Sequence, residues 1–111
     1  MSVRIMYLKS FNRMLKKLVK DPDAVKRMIE ADIQYFVDQN PDTFQFPDSG
    51  TGIGNVWKLR VGKRQEYRAI YYVSSKINTI FFILIFAKQD QANLTQLQVK
   101  EIRSLIKQLK L

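Results

Sequence analysis

The stretch from Trp57 to Val73 reads "WKLRVGKRQEYRAIYYV". Its first twelve residues contain five cations: Lys58, Arg60, Lys63, Arg64 and Arg68. They are interleaved with residues that favour strands: Trp57, Leu59 and Val61, then Tyr67, Ile70, Tyr71, Tyr72 and Val73. A further cation, Lys88, closes the apolar run "IFFILIFA" at Ile80–Ala87. The chain has neither histidine nor cysteine. That removes the usual neutral-pH acid/base group, the usual metal ligands, any Ser-His triad and any disulfide. Any acid or base must be Lys, Arg, Tyr, Asp or Glu. What remains is the chemistry of clustered cations. A lysine among other cations gives up its proton more readily, and an arginine grips phosphate oxygens bidentately while staying charged.

The net charge of +9 is unevenly spread. Residues 1–50 hold eight Lys/Arg against seven Asp/Glu, whereas residues 51–111 hold eleven against three. Nearly all the excess therefore lies in the second half. Such a field attracts a polyanion: nucleic acid, an anionic membrane or an acidic protein. The basic residues do not fall on one long amphipathic helix, which argues against a membrane surface. No apolar run reaches the roughly 18 residues of a membrane span, and "MSVRIMYLKSF" lacks the apolar core of a signal peptide. A cytoplasmic protein without metal or cofactor is expected. With 111 residues, 46% of them hydrophobic, a single domain over 1–111 is expected.

The elements that must position these cations follow from periodicity. Val3–Leu8 is a short β-prone segment. Ser10 is placed to cap a helix with Phe11, Met14, Leu15 and Leu18 on one face and Lys16, Lys17 and Lys20 late in it, where cations suit the dipole. "DPD" at Asp21–Asp23 restarts the chain. Asp21 is the expected N-cap, Pro22 opens the helix, and Val25, Met28, Ile29, Ile33, Phe36 and Val37 form its stripe. The segment 40–55 holds two of the three prolines and three of the four glycines, and reads as the crossing from helices to sheet. Three strands follow, Trp57–Val61, Tyr67–Ser74 and Thr79–Ala87, the last apolar on both faces and hence central. Thr95 and Gln98 form a capping-box pattern before a final helix with a basic outer face. The expected fold is α+β in the order β-α-α-β-β-β-α, an N-terminal helical hairpin packed on a small, largely antiparallel curved sheet.

Three signatures in sequence, "G…WKLR", "YRAIYY" and "AKQDQANLT", together with this element order, resemble the RelE/ParE superfamily of bacterial toxins. The likeness is greatest to the HigB-like branch and strongest from Gly50 to Leu109. It implies a toxin of a type II toxin–antitoxin pair. A cognate antitoxin would neutralise it, and operator DNA would be touched only through that antitoxin. In the RelE and HigB branches it implies ribosome-dependent cleavage of mRNA; in the ParE branch, poisoning of DNA gyrase. A third reading is a non-catalytic module that binds only antitoxin or nucleic acid. Fold alone does not choose between them.

Cleaving RNA by transesterification requires that the 2′-hydroxyl lose a proton, that charge on the pentacoordinate phosphorus be stabilised, and that the 5′-oxygen gain a proton. Cations can serve a site without histidine or metal, and the ribosome can hold mRNA in line for attack. The resemblance matches Arg68 to the family's catalytic arginine and Lys88 to a basic residue of its site. These two are expected to flank the scissile phosphate, with Arg60, Lys63, Arg64 and Lys58 on the RNA backbone. The tyrosine that follows the final strand in the best-known RelE-type toxins is absent from "QDQANLT", as it commonly is in the HigB-like branch. No general base is assigned. Structural alternatives stand beside these roles: an ion pair of Arg68 with Glu66, Asp48 or Asp90, a solvated or antitoxin-facing Lys58, and Lys63 and Arg64 as plain turn cations.

Overall fold

A computed structural model describes residues 3–40 and 50–111. The chain runs β1 (Arg4–Tyr7), α1 (Lys9–Leu18), α2 (Pro22–Gln39), β2 (Val56–Val61), β3 (Tyr67–Ser74), a short 3₁₀ turn (Ser75–Ile77), β4 (Thr79–Ala87) and α3 (Gln96–Leu109). This is the expected α+β order. Asp48, one of the ion-pair partners considered for Arg68, lies outside the described residues. Among those residues no helix is long and apolar enough to cross a membrane.

The four strands form one sheet in the order β1-β4-β3-β2. β1 runs parallel to β4, while β3 is antiparallel to both β4 and β2. All nine residues of β4 are buried, as its unbroken apolar run requires of a central strand. The two sides of the sheet carry separate apolar clusters. Phe11 and Leu15 of α1 and Ile29 and Ile33 of α2 pack with Ala69, Tyr71, Phe82 and Ile85. On the other side, Ile102 of α3 packs with Val56, Ile70, Ile83, Leu84 and Phe86.

Caps set the helix limits. Asp21 accepts from the Ala24 N–H at 3.1 Å, with Pro22 opening α2. Thr95 and Gln98 complete a reciprocal capping box at α3. Ser10 departs from expectation. The Leu8 N–H donates to the Phe82 carbonyl at 2.9 Å, so β1 pairing runs directly into the helix and Leu8 occupies the cap position. Ser10 therefore lies inside the first turn, and its hydroxyl donates to the Ile83 carbonyl at 2.6 Å. Lys20 also differs: α1 closes at Leu18, and Lys20 lies beyond it.

β4 is not regular. Its register with β3 shifts between Ile70 and Tyr71: Tyr71 faces Phe82, Ile70 faces Leu84, and Ile83 has no partner. Ile83 is thus the extra residue of a β-bulge. Ile83 and Leu84, neighbours in sequence, both join the α3-side cluster. The bulge therefore reverses the alternation of the rest of the strand, placing Ile85 on the α1/α2 side and Phe86 on the α3 side.

Candidate active site

Strand alternation divides the cations from the core. On β2, Trp57, Leu59 and Val61 pack into the α1/α2-side cluster. Lys58 and Arg60 consequently point to the other side, where Val56 joins the α3 cluster. On β3, Tyr67 and Ala69 belong to the first cluster and Ile70 to the second, which puts Arg68 on the α3 side. The antiparallel register sets Arg60 directly opposite Arg68. Arg68 in turn stands opposite Phe86 of β4. Two residues on, the Lys88 N–H donates to the Glu66 carbonyl at 2.8 Å, extending the β3–β4 ladder beyond the strand ends. Because of the bulge, the alternation that puts Phe86 on the α3 side carries Lys88 to that side as well. Without the extra residue, Lys88 would point the other way.

The turn between β2 and β3 holds Arg68. Gly62 has φ +104° and Gln65 φ +54°, and the Gln65 N–H donates to the Gly62 carbonyl at 3.0 Å. The positive φ is what favours glycine at residue 62, and a Cβ there would displace the exposed Glu66 carboxylate from its place over the turn. Glu66 Oε1 accepts from the Arg64 N–H at 3.2 Å. The turn so closed presents two carbonyls to Arg68. Nη1 donates to Gln65 O at 2.6 Å and to Tyr67 O at 3.1 Å. The Nε and Nη2 hydrogens have no partner among the described residues. Arg68 is therefore oriented by neutral carbonyls and not by an acid among the described residues. The ion pairs with Glu66 and Asp90 that the sequence left open do not form.

Beside this turn is an open cleft of about 560 Å³, lined by Arg64, Glu66, Tyr67, Ala87 and Lys88 among others. Arg60, Lys63, Arg64 and Lys88 are all exposed, and Arg68 is half-buried. Lys58 stands apart. It lines a smaller cleft of about 220 Å³ with Thr51, Asn93, Leu94 and Val99, against the start of α3. The structure thus brings Arg60, Arg64, Arg68 and Lys88 to the β2–β3 turn end of the sheet, while Lys58 lies nearer α3. None of these cations forms an ion pair among the described residues. A set of exposed, uncompensated cations with one arginine held in place can bind an anion and stabilise charge developing on it. Tyr67 and Tyr72 pack against the apolar clusters and Tyr71 is buried, so the strand tyrosines act in packing.

Sequence reading missed Gly62, Gln65 and Glu66 as residues that build the site. A glycine followed at three and four residues by Gln and Glu in a strand–turn–strand segment was the available signal, but side-chain capping of a turn is not unique to any pattern.

No family model and no curated protein matches the chain. Solved structures do. A free-state mutant of the Escherichia coli toxin RelE aligns with TM-score 0.58 at 15% identity, over 83% of this chain and 90% of that one. The E. coli RelBE toxin–antitoxin complex aligns with TM-score 0.55 at 15% identity, over 78% and 96%. The isolated E. coli RelE toxin aligns with TM-score 0.54 at 13% identity, over 94% and 99%. The chain has the RelE fold.

Proposed function

We propose that this chain is the single-domain toxin of a type II toxin–antitoxin pair, of the HigB-like branch, and that it cuts mRNA on the ribosome in the cytoplasm. The observation that carries the reading is the Arg60–Arg68 opposition. Like charges placed directly across an antiparallel pair destabilise a sheet, and no acid among the described residues forms an ion pair with either. A phosphate between or above them would. The RelE fold supports the toxin reading, and the RelBE complex, in which a protein of this fold is held with its antitoxin, supports a cognate antitoxin as partner.

In this mechanism Arg68 and Lys88 flank the scissile phosphate, and Arg60, Lys63, Arg64 and Lys58 hold the adjoining backbone. The 2′-oxygen attacks phosphorus and loses its proton. The bond from phosphorus to the 5′-oxygen breaks, and that oxygen takes up a proton, leaving a 2′,3′-cyclic phosphate. Arg68 stays charged throughout and offers its free Nη2 and Nε hydrogens to the phosphoryl oxygens as negative charge grows. The ribosome supplies the in-line geometry of the mRNA.

Primer extension on a defined mRNA tests this, with purified protein, with and without programmed ribosomes. Cleavage is expected only with ribosomes. Arg68→Ala and Lys88→Ala should each lower it by about 100-fold or more, the loss typical of removing one charge-stabilising donor, while antitoxin affinity stays nearly unchanged. Absence of cleavage under both conditions overturns the reading, and cleavage of naked RNA removes the ribosome from it.

A further inference from the structure

One role in the cleavage has no residue yet: removal of the 2′-hydroxyl proton. It needs a free lone pair at the working pH, within hydrogen-bond reach of that oxygen. Without histidine, the side chains that ordinarily offer one near neutral pH are the carboxylates. Among the described residues Glu66 is the one acid that lines the cleft beside Arg64 and Lys88. Asp90, two residues beyond Lys88, does not line it. Tyr67 does, but its ring packs into the α1/α2-side cluster.

Backbone pairing fixes where Glu66 stands. Val61 faces Tyr67 and Tyr67 faces Ala87, so the next step along the sheet sets Gly62 opposite Glu66 and Glu66 opposite Lys88. The bond from the Lys88 N–H to the Glu66 carbonyl closes that second pair. Alternation from Tyr67 turns the Glu66 side chain to the α3 side. The face thus carries two adjoining rows, Gly62–Glu66–Lys88 and Arg60–Arg68–Phe86, about 7 Å apart along the strands. Oε1 of Glu66 lies over Gly62, where a Cβ would displace it, and accepts from the Arg64 N–H at 3.2 Å. Oε2 has no partner among the described residues, and the carboxylate forms no ion pair with Arg64, Arg68 or Lys88. One oxygen is anchored on backbone and the other is left to accept.

We infer that Glu66 is the general base of the cleavage, its Oε2 taking the 2′-hydroxyl proton of the nucleotide whose phosphate Arg68 and Lys88 hold. The inference rests on the reading of this chain as an mRNA-cleaving toxin. The proton passes to the carboxylate as the 2′-oxygen bonds to phosphorus. The bond from phosphorus to the 5′-oxygen breaks with its electron pair on oxygen, which takes a proton from water. Glu66 then returns its own proton to solvent. The two rows suit this division of labour. The cations meet the phosphoryl oxygens, while the carboxylate, repelled by those oxygens, reaches the sugar. Because a backbone N–H and not a guanidinium anchors Glu66, Arg68 stays available to the phosphate.

The test is single-turnover cleavage of a defined mRNA on programmed ribosomes across about pH 6–8.5, comparing the parent with Glu66→Gln. The glutamine keeps an oxygen for the Arg64 N–H, so Tm and the half-saturating ribosome concentration should stay at parental values. The parent's rate should be nearly flat with pH. The variant should be about 100-fold slower or more at about pH 7, the contribution typical of a general base, and should climb about tenfold per pH unit as hydroxide takes over. A merely structural role would lower the rate equally at every pH. Where the Tm of Glu66→Gln falls, Glu66→Ala with added sodium formate replaces it. Formate should raise its rate about 10-fold or more, and sodium chloride at the same concentration should not. Asp90→Asn should keep the parental rate and profile. Four outcomes overturn the inference while cleavage by the parent leaves the function standing: a Glu66→Gln rate within about 3-fold of the parent's, a loss uniform in pH, no gain with formate, or a pH slope that appears in Asp90→Asn instead. A parent that does not cleave overturns the function and the inference together.

Discussion

Arg60→Gln is expected to make the protein more stable and less active at once. Arg60 and Arg68 face each other across β2 and β3 on the same side of the sheet, and Arg68 is held toward the turn by Gln65 O and Tyr67 O. With Cα atoms about 5 Å apart and the long side chains diverging, the guanidinium centres are taken as about 7 Å apart. Two unit charges at that distance in water repel by about 0.6 kcal/mol. A Debye length of about 30 Å at 10 mM salt leaves about 0.5 kcal/mol of this, one of about 8 Å at 0.15 M leaves about 0.25, and one of about 3 Å at 1 M leaves about 0.06. At about 4 °C per kcal/mol for a chain of this size, Arg60→Gln should raise Tm by about 2 °C in 10 mM KCl, about 1 °C at 0.15 M, and not measurably at 1 M. Differential scanning fluorimetry across that salt series reads the trend, and ribosome-dependent cleavage of the same variant should fall. A Tm gain that persists undiminished at 1 M KCl would refute the electrostatic origin. A Tm loss at 10 mM would show that Arg60 supports the fold.

Three further substitutions probe the turn, the bulge and the packing of β1. Gly62→Ala should lower stability by about 1–3 kcal/mol through the positive φ and the displaced Glu66 carboxylate, and should cut cleavage by unseating the carbonyls that hold Arg68; a variant with parental Tm and activity would contradict the role given to the turn. Ser10→Ala strands the Ile83 carbonyl at a cost of about 1–3 kcal/mol, or roughly 4–12 °C in Tm, and a shift below 2 °C would show that solvent replaces the hydroxyl. Burial, and then the hydrogen bond to Glu30, raise the Tyr7 phenol far above its ordinary value of 10.0. Below about pH 10 the phenol is protonated in both folded and unfolded chains; above it only the unfolded chain ionises, so stability falls as pH rises. Tyr7→Phe removes that term, and its Tm should approach the parent's from below between pH 9 and 11; curves that stay parallel would refute the shift.

Much of the architecture was legible because it rests on local rules. Asp21–Pro22 and Thr95–Gln98 write helix starts in residue types whose hydrogen bonds lie within one turn. The unbroken apolar run of β4 marked it as central, and the alternation of Trp57, Leu59 and Val61 with Lys58 and Arg60 assigned the cations to one side of β2. Ser10 failed as a cap because its competitor was not local. A carbonyl 73 residues away accepts its hydroxyl, and nothing within a turn of Ser10 records that partner. Arg68 was likewise identified as a residue of the site while its setting was not. Its partners are backbone carbonyls, which every residue has, so only the fold of the turn singles them out.

The bulge is the least legible feature and the one on which the geometry of the site most depends. In a strand buried on both faces, Ile, Phe and Leu satisfy either side, so an extra residue leaves no break in the hydrophobic pattern. Its effect is nevertheless absolute for what comes after, since a shift of one residue sends every later side chain to the opposite face. Between Phe82 and Lys88 the residues that feel the shift are apolar and tolerant of it, while Lys88 is not. The Ser10 hydroxyl donates to the carbonyl of the bulged residue itself. β1 pairing reaches Phe82 through the Leu8 N–H, and the next β4 carbonyl, that of Ile83, is the one Ser10 takes. The side of the sheet that Lys88 shares with Arg68 is thus set by one bulged residue, whose carbonyl α1 holds through a single hydrogen bond.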